Sequence, residues 1–352
     1  MAKVIPISKF VGPPCNWKNS RWDFWKEGIS SSLLSSFLTC REQFRLSVVE
    51  GYRSNNVPLS LSFGTCMHWC LEQGYKLSSP PGKAKCQKLI SDFEKLWLSE
   101  RPAASQRQLE TQELTYGLAD AMLPTYFERW TGDYGPKFKY PKVHNTSRID
   151  KWVGLETRFS VPFRFDDVRE TRIVGTRDAM FRTPKGSLRI FDSKCRSIIN
   201  EEDTQDTLPF DLQQMLYLWA TWKETGECPV GTTMNIVRRP GHRRGREEPL
   251  RKFLDRVRKE VETPSRWDHY FIRIEMDISK AEIIAWEKSV LRPLMEDVRG
   301  WWEGRSPHYI NPNALVTKYG RCEMFNIIVY GNTNGFFRRD RGKVMSYQTD
   351  LT

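Results

Sequence analysis

Two aspartates and a lysine interrupt a stretch that otherwise reads as a buried β-hairpin. Gly175-Thr176-Arg177-Asp178 runs on to a turn at Thr183-Pro184-Lys185-Gly186, and Ile190-Phe191-Asp192-Ser193-Lys194 returns. Side chains alternate faces along a strand, so Asp192 and Lys194 project from one side, and the turn folds Asp178 back alongside. Ile173-Val174, Leu188 and Ile190 mark the sheet as apolar. Charged groups are seldom buried without a partner. The plain structural alternative is an Asp–Lys pair on an exposed hairpin. The chemical one is a divalent metal held by the carboxylates, with the lysine beside a reacting water.

The surrounding pattern divides the chain. Residues 1–29 are rich in Pro, Asn, Lys and Trp and read as an irregular arm. The spacing of Leu33, Leu34, Phe37 and Leu38 after Ser30-Ser31-Ser32 predicts a helix to about Val49, stopped by Gly51. Pro58 to Phe63 reads as a connection, with Gly64 opening a second helix. Further helices are expected over 84–99 and 107–131. Character changes near Trp152, with strands expected over 153–165, 172–181 and 187–193, a helix over 212–225, and strands over 232–238 and 267–276. Ser279-Lys280-Ala281-Glu282 reads as a capping box opening a last helix. The order predicts an α/β protein: a helical subdomain over 30–150, a core over 151–305 and a basic tail over 306–352.

Charge and composition narrow the function classes. A formal net charge of +12 favours a polyanionic partner. With 39 % hydrophobic residues the chain reads as globular, and no apolar run reaches the ~18 residues of a membrane span. The eight scattered cysteines suggest no disulfide framework, so a reducing, cytoplasmic setting is expected.

Two further sets of polar residues carry chemical potential. Gln213 and Tyr217 lie one helical turn apart on one face; edge positions of an amphipathic helix are the bland reading. His68 lies between Cys66 and Cys70, which invites a zinc site. Helix geometry argues against that, because His68 is rotated about 200° from Cys66. His68 shares a face with Glu72 instead. A lone histidine on an apolar helix is otherwise a core residue.

Taken together, the set resembles the PD-(D/E)XK nuclease superfamily, in its RecB-like branch, which includes phage exonucleases and CRISPR-associated nucleases. The matching pieces, in order, are a serine-rich helix from Ser31 to Cys40, Gly64/His68/Glu72, Glu156, Gly175/Asp178, Asp192/Lys194 and Gln213/Tyr217. The resemblance implies a restriction-endonuclease-like core, a central mixed sheet flanked by helices. It also implies roles. His68, Asp178, Asp192 and the Ser193 backbone carbonyl would ligate Mg²⁺ or Mn²⁺, with Glu156 as a further candidate. Lys194 would orient or deprotonate the attacking water, and Gln213 and Tyr217 would position the DNA backbone or the lysine. The chain departs from the branch at Arg177, where proline is common, and at Cys195, where threonine is. Many relatives hold an iron–sulfur cluster on four cysteines. Here only Cys40 and Cys322 fall in place, with Asn313-Ala314-Leu315 and Ile327-Ile328-Val329 at the other positions, so no cluster is expected. A C-terminal clasp would then rest on packing through Phe325, Ile327 and Tyr330.

Arg238 to Lys259 is strongly cationic, with Arg238, Arg239, Arg243, Arg244 and Arg246 at its start and Gly241 and Gly245 between them. It reads as a flexible loop touching phosphates, or as a solvated insertion. Arg338 and Arg339, beside Phe336 and Phe337, suit a single strand, where bases stack and phosphates pair with charge. The expectation is a DNA nuclease acting on single strands or duplex ends, in recombination or replication, of phage type. The rivals are an inactive nuclease-fold protein that binds nucleic acid, and a zinc-organised interaction protein.

Overall fold

Local chemistry sets most element boundaries. Ser30 accepts from the Leu33 N–H to start the first helix. Asp211 accepts from the Gln213 and Gln214 N–H groups to cap the helix that Gly226, at φ 76°, ends. Ser279 and Glu282 form the expected capping box. The computed structural model describes residues 17, 20–54, 59–100, 106–317 and 320–339; parts of the arm and of the basic tail lie outside them. The elements are α1 (Ser31–Thr39), α2 (Arg41–Phe44), β1 (Tyr52–Ser54), α3 (Leu59–Tyr75), α4 (Lys83–Glu100), α5 (Gln106–Arg129), β2 (Lys151–Arg164), β3 (Glu170–Arg182), β4 (Leu188–Arg196), α6 (Glu201–Thr207), α7 (Leu212–Thr225), β5 (Gly231–Arg238), α8 (Leu250–Glu262), α9 (Trp267–Tyr270), β6 (Phe271–Asp277), α10 (Lys280–Trp286), α11 (Arg292–Trp302), α12 (Pro312–Leu315), β7 (Val316–Thr317), β8 (Gly320–Arg321), α13 (Phe325–Tyr330) and β9 (Phe336–Arg338).

Strands β2 to β6 form one sheet in sequence order. Every neighbour is antiparallel except β4 and β5, which are parallel and joined through α6 and α7. One face packs through Ile190, Met234 and Ile274 against Leu34 of α1, Leu216 and Trp219 of α7, and Val298 of α11. The other packs through Phe181, Phe191 and Val237 against Met67 of α3, Phe93 of α4, Met122 of α5 and Val257 of α8. This is the mixed, helix-flanked sheet of a restriction-endonuclease-like core. No helix among the described residues is long and apolar enough to cross a membrane.

Four local expectations need correcting. The first helix does not run unbroken to Val49: Cys40 is extended (φ −165°, ψ 117°), and the chain restarts as α2 and a π-helical stretch, Arg45–Val49. Residues from Leu59 on are already helical, so Gly64 lies inside α3, where an added Cβ would come 3.9 Å from Cys195 Cβ. Trp267–Tyr270 forms a helical turn, and strand geometry begins at Phe271. The basic stretch is also more ordered than its glycines imply. From Leu250 it is α8, which buries Phe253, Val257 and Val261, a 3–4 spacing hidden among charges.

The C-terminal segment returns to the front of the chain. β9 pairs antiparallel with β1, and Met324, Ile327 and Ile328 bury themselves with Leu46. The clasp therefore rests on Met324 and Ile328 as well as Ile327. Phe325 and Tyr330 meet edge to face beside it, with ring centres 5.9 Å apart.

One buried ion pair ties the helical layer to the sheet. Arg273 of β6, 1 % exposed, meets Asp133, 0 % exposed, through both guanidinium nitrogens, one at 2.9 Å. Tyr75 and Tyr140 donate to the same carboxylate at 2.7 and 2.8 Å. The guanidinium also lies 3.6 Å from the centre of the Trp130 ring. Every lone pair of Asp133 is answered, which is the condition for a buried pair to hold. Asp133→Asn leaves the arginine charge without its counter-ion and is expected to cost about 3–5 kcal/mol in urea unfolding; a loss below about 1 kcal/mol would show the pair to be idle.

Candidate active site

Strands β3 and β4 pair from Arg182↔Leu188 to Ala179↔Phe191 and no further, while β4 remains paired with β5 as far as Arg196↔Arg238. The sheet therefore opens a notch at Asp178 and Asp192. Asp178 Oδ2 accepts the Ser193 N–H at 2.8 Å, replacing the ladder bond lost there. His68 reaches the same notch from α3, its Nδ1 3.3 Å from Asp178 Oδ2. The cleft between them is lined by His68, Glu72, Glu156, Asp178 and Ser193, with Leu71, Leu155 and Phe191 as apolar wall.

Glu156 marks an irregularity that builds this cleft. The register brackets it opposite Asp178, between Leu155↔Ala179 and Thr157↔Arg177. Its φ is 47°, a left-handed backbone that costs a non-glycine residue about 1–2 kcal/mol. Odd-numbered residues change cores across it. Leu155, Ala179 and Phe181 face the α3 side, whereas Phe159, Val161 and Ile173 face the α7 side. Gly175 is needed nearby for a packing reason, since a Cβ there would lie 2.7 Å from the Phe159 ring. Arg177, where proline is common in the branch, is fully buried. It donates to Thr221 of α7 at 2.8 Å, pairs with Glu224 and stacks on Phe159.

Asp192 is 0 % exposed and held from several directions. Lys194 Nζ lies 2.9 Å from Oδ2 and 3.2 Å from Oδ1. The same ammonium donates to Gln213 Oε1 at 2.8 Å, and Gln213 Nε2 donates to the Tyr217 hydroxyl at 2.8 Å. The i, i+4 pair on α7 thus acts as one bracket for the lysine. Gln214 was not singled out by its sequence context. It is fully buried, donates to Asp192 Oδ2 at 2.7 Å and accepts from Thr232 Oγ1 at 2.6 Å. Only a buried polar residue beside a motif glutamine hinted at it. Asn235 is a second addition, donating to Ser193 Oγ at 3.1 Å.

The electrostatics reflect too many acids in one dry place. Burial, then Asp178 and Glu72, push Glu156 up to about 9. Burial raises Asp192 to about 6, with Asp178 adding to the rise and Lys194 opposing it. For Asp178 burial is outweighed by His68, Lys194 and the Ser193 N–H, and its pKa falls. Burial opposes the charge on Lys194, but Asp192 and Asp178 more than compensate and raise its pKa.

The remaining expected residues lie elsewhere. Cys66 and Cys70 are buried in the α3 core, and His68 turns from them toward Asp178. Arg238 and Arg239 sit half-buried at the end of β5, beside Arg196, whose carbonyl accepts the Arg239 N–H. Arg243, Arg244 and Arg246 are exposed on the following loop, where Arg244 donates to the Glu248 carbonyl. Arg338 reaches Glu50 and Tyr52, and the Arg339 N–H bonds Gly51, far along the chain from the notch residues.

Among the described residues no three His, Cys, Asp or Glu side chains form a closed metal cage. The donors fit a hard divalent ion in kind. They are carboxylate oxygens with one imidazole, and the carboxylates repel one another in a way a cation relieves. The chain matches the family model of the PD-(D/E)XK nuclease superfamily over residues 28–293. The chain belongs to that superfamily. Its members are generally metal-dependent nucleases, typically using Mg²⁺ or Mn²⁺. No curated protein is significantly similar to it. A solved structure titled "Crystal structure of SSO0001" aligns at 12 % identity over 74 % of this chain and 84 % of that one, with a TM-score of 0.23.

The crowded acids in this superfamily member predict a pH effect in EDTA. A carboxyl whose folded pKa is raised binds its proton more tightly when folded, so its contribution is lost as pH rises from the unfolded value of 4.5 toward about 9. Glu156→Gln is expected to melt progressively higher than wild type as pH increases across that range. A melting difference independent of pH would show that Glu156 is not held protonated.

Proposed function

We propose that the protein is a divalent-metal-dependent deoxyribonuclease acting on single-stranded DNA or DNA ends, in recombination, replication or repair, with a phage role. The observation that carries the reading is the meeting of His68, from an early helix, with Asp178, Asp192 and Lys194 of a later sheet. An inactive descendant has no use for so costly a cluster of buried charge.

His68, Asp178, Asp192 and the Ser193 carbonyl would hold the ion, with Glu156 at its margin. When bound, it supplies a water of lowered pKa and neutralises charge on the phosphate. Lys194 stays cationic between Asp192 and Asp178, which suits it to orienting the attacking water and steadying a phosphate oxygen rather than to removing a proton. Gln213, anchored by Tyr217, fixes where that ammonium points. Gln214 keeps the Asp192 carboxylate from turning, through its own bond to Thr232. Arg238, Arg239, Arg243, Arg244 and Arg246 give the phosphate backbone a cationic approach, and Arg338 and Arg339 a more distant one.

Helices α3, α4 and α5 layer over one face of the sheet and bring His68 to the notch. A strand led into the notch past the edge of that layer would be cut from an end, and exonuclease action is part of the same proposal. The division into a helical subdomain over 30–150, a nuclease core over 151–305 and a returning tail belongs to the same reading.

The test is degradation of end-labelled single-stranded and duplex DNA with Mn²⁺, beside Asp192→Ala and Lys194→Ala. Wild type is expected to degrade DNA only with metal, and Lys194→Ala to lose about a hundredfold or more. Equal activity in wild type and variants would assign the cutting to a contaminant.

A further inference from the structure

The connection between Lys194 and Gln213 carries two large apolar side chains held out in water. Phe210 is 84 % exposed and Ile198 is 81 % exposed. Neither is loose chain. Phe210 closes the 3₁₀ turn Leu208–Phe210, where Leu208 is buried, and the next residue, Asp211, caps α7 through the Gln213 and Gln214 N–H groups. Ile198 follows the end of β4 by two residues, and Asn200 caps α6 just beyond. Both are therefore displayed on fixed backbone.

Their position is set by the site. Gln213, three residues after Phe210, touches Lys194 at 2.8 Å, and the Asp211 carboxylate is near enough to Lys194 to favour its charge. Ile198 lies four residues past Lys194 on the same strand exit. At the same strand exit, two residues before Ile198, the parallel strands β4 and β5 end together at Arg196, Arg238 and Arg239, joined by the 2.8 Å bond from the Arg239 N–H to the Arg196 carbonyl. None of these three guanidinium groups has a carboxylate partner among the described residues. The helix between the two apolar residues is acidic: Glu201, Glu202, Asp203 and Asp206 are exposed on α6, which Gln205 holds to β6 through the Glu275 carbonyl at 2.7 Å. The paired strand ends thus attract phosphates, whereas the connection that ends in Phe210 carries an acidic helix that repels them.

We propose that Phe210 is a base-stacking platform that makes the protein a reader of unpaired DNA, with phosphates directed toward Arg196, Arg238 and Arg239. The inference rests on the nuclease reading and names the residue that would select single strands over paired ends. A duplex hides its base faces, so Phe210 has nothing to stack on there, whereas every unpaired base presents one. The acidic helix sharpens the choice, because it penalises a backbone laid on the Phe210 side and leaves only bases to face it.

The experiment measures binding of full-length protein in EDTA at fixed salt. The probes are a single-stranded oligonucleotide carrying 2-aminopurine and the matching blunt duplex, tested against wild type, Phe210→Ala and Phe210→Trp. Phe210 is nearly all exposed, so the variants are expected to melt with wild type. Phe210→Ala should weaken single-strand binding roughly 5- to 50-fold and relieve the 2-aminopurine quenching, while Phe210→Trp keeps both and duplex binding is unmoved. With Mn²⁺, the loss in Phe210→Ala should appear in KM rather than kcat. Unchanged single-strand affinity in Phe210→Ala, or equal losses on single strand and duplex, overturns the stacking proposal. The nuclease reading is judged separately by wild-type cleavage and its loss in Asp192→Ala, so either idea can fail alone.

Discussion

The structure turns on the place where β3 leaves β4. A continued ladder would pair Asp178 with Asp192 through the backbone. Instead the strands part after Ala179↔Phe191, and Asp178 satisfies the stranded Ser193 N–H with its side chain. That one substitution of a carboxylate for a backbone carbonyl leaves room for α3 to deliver His68 from the opposite face. The left-handed backbone at Glu156 is the matching adjustment on β2, and it turns a third acid toward the same space.

Gathering acids in a dry notch is unfavourable, and the rest of the fold offsets it. Lys194 neutralises Asp192 and is itself bracketed by Gln213 and Tyr217. Gln214 and Thr232 remove the last freedom of the Asp192 carboxylate. On the other face, the Arg273–Asp133 pair and its tyrosines fasten the helical layer; Tyr75, which belongs to α3 two turns beyond His68, also lines the cleft. Stability of the frame and geometry of the site are therefore coupled through α3.

How far the sequence could be read differs from one element to the next. The hairpin of β3 and β4, α7 and the capping box at Ser279 declared themselves, because turn chemistry, helix caps and alternation are local signals. Helix α8 did not, because its buried valines and phenylalanine are diluted by arginine and lysine, and composition alone reads as solvated loop. The break at Cys40 and the helical start at Leu59 were hidden for a similar reason: packing decided them. At the site, the order of Gly64/His68, Asp178, Asp192/Lys194 and Gln213/Tyr217 was legible as a resemblance. Gln214, Asn235 and the buried Arg177 were not, since their partners lie on other strands and helices.

Local pattern alone was enough to set which residue types stand at which strand and helix positions: strands carrying acids and a lysine, and an early helix carrying a histidine. Periodicity and capping act over a few residues, so a single chain segment is enough to specify them. Whether those groups meet was decided only by tertiary structure. Strand divergence and the change of face at Glu156 depend on contacts between neighbouring strands, and the seating of α3 on a contact between residues 110 positions apart, His68 and Asp178; no local pattern encodes those distances.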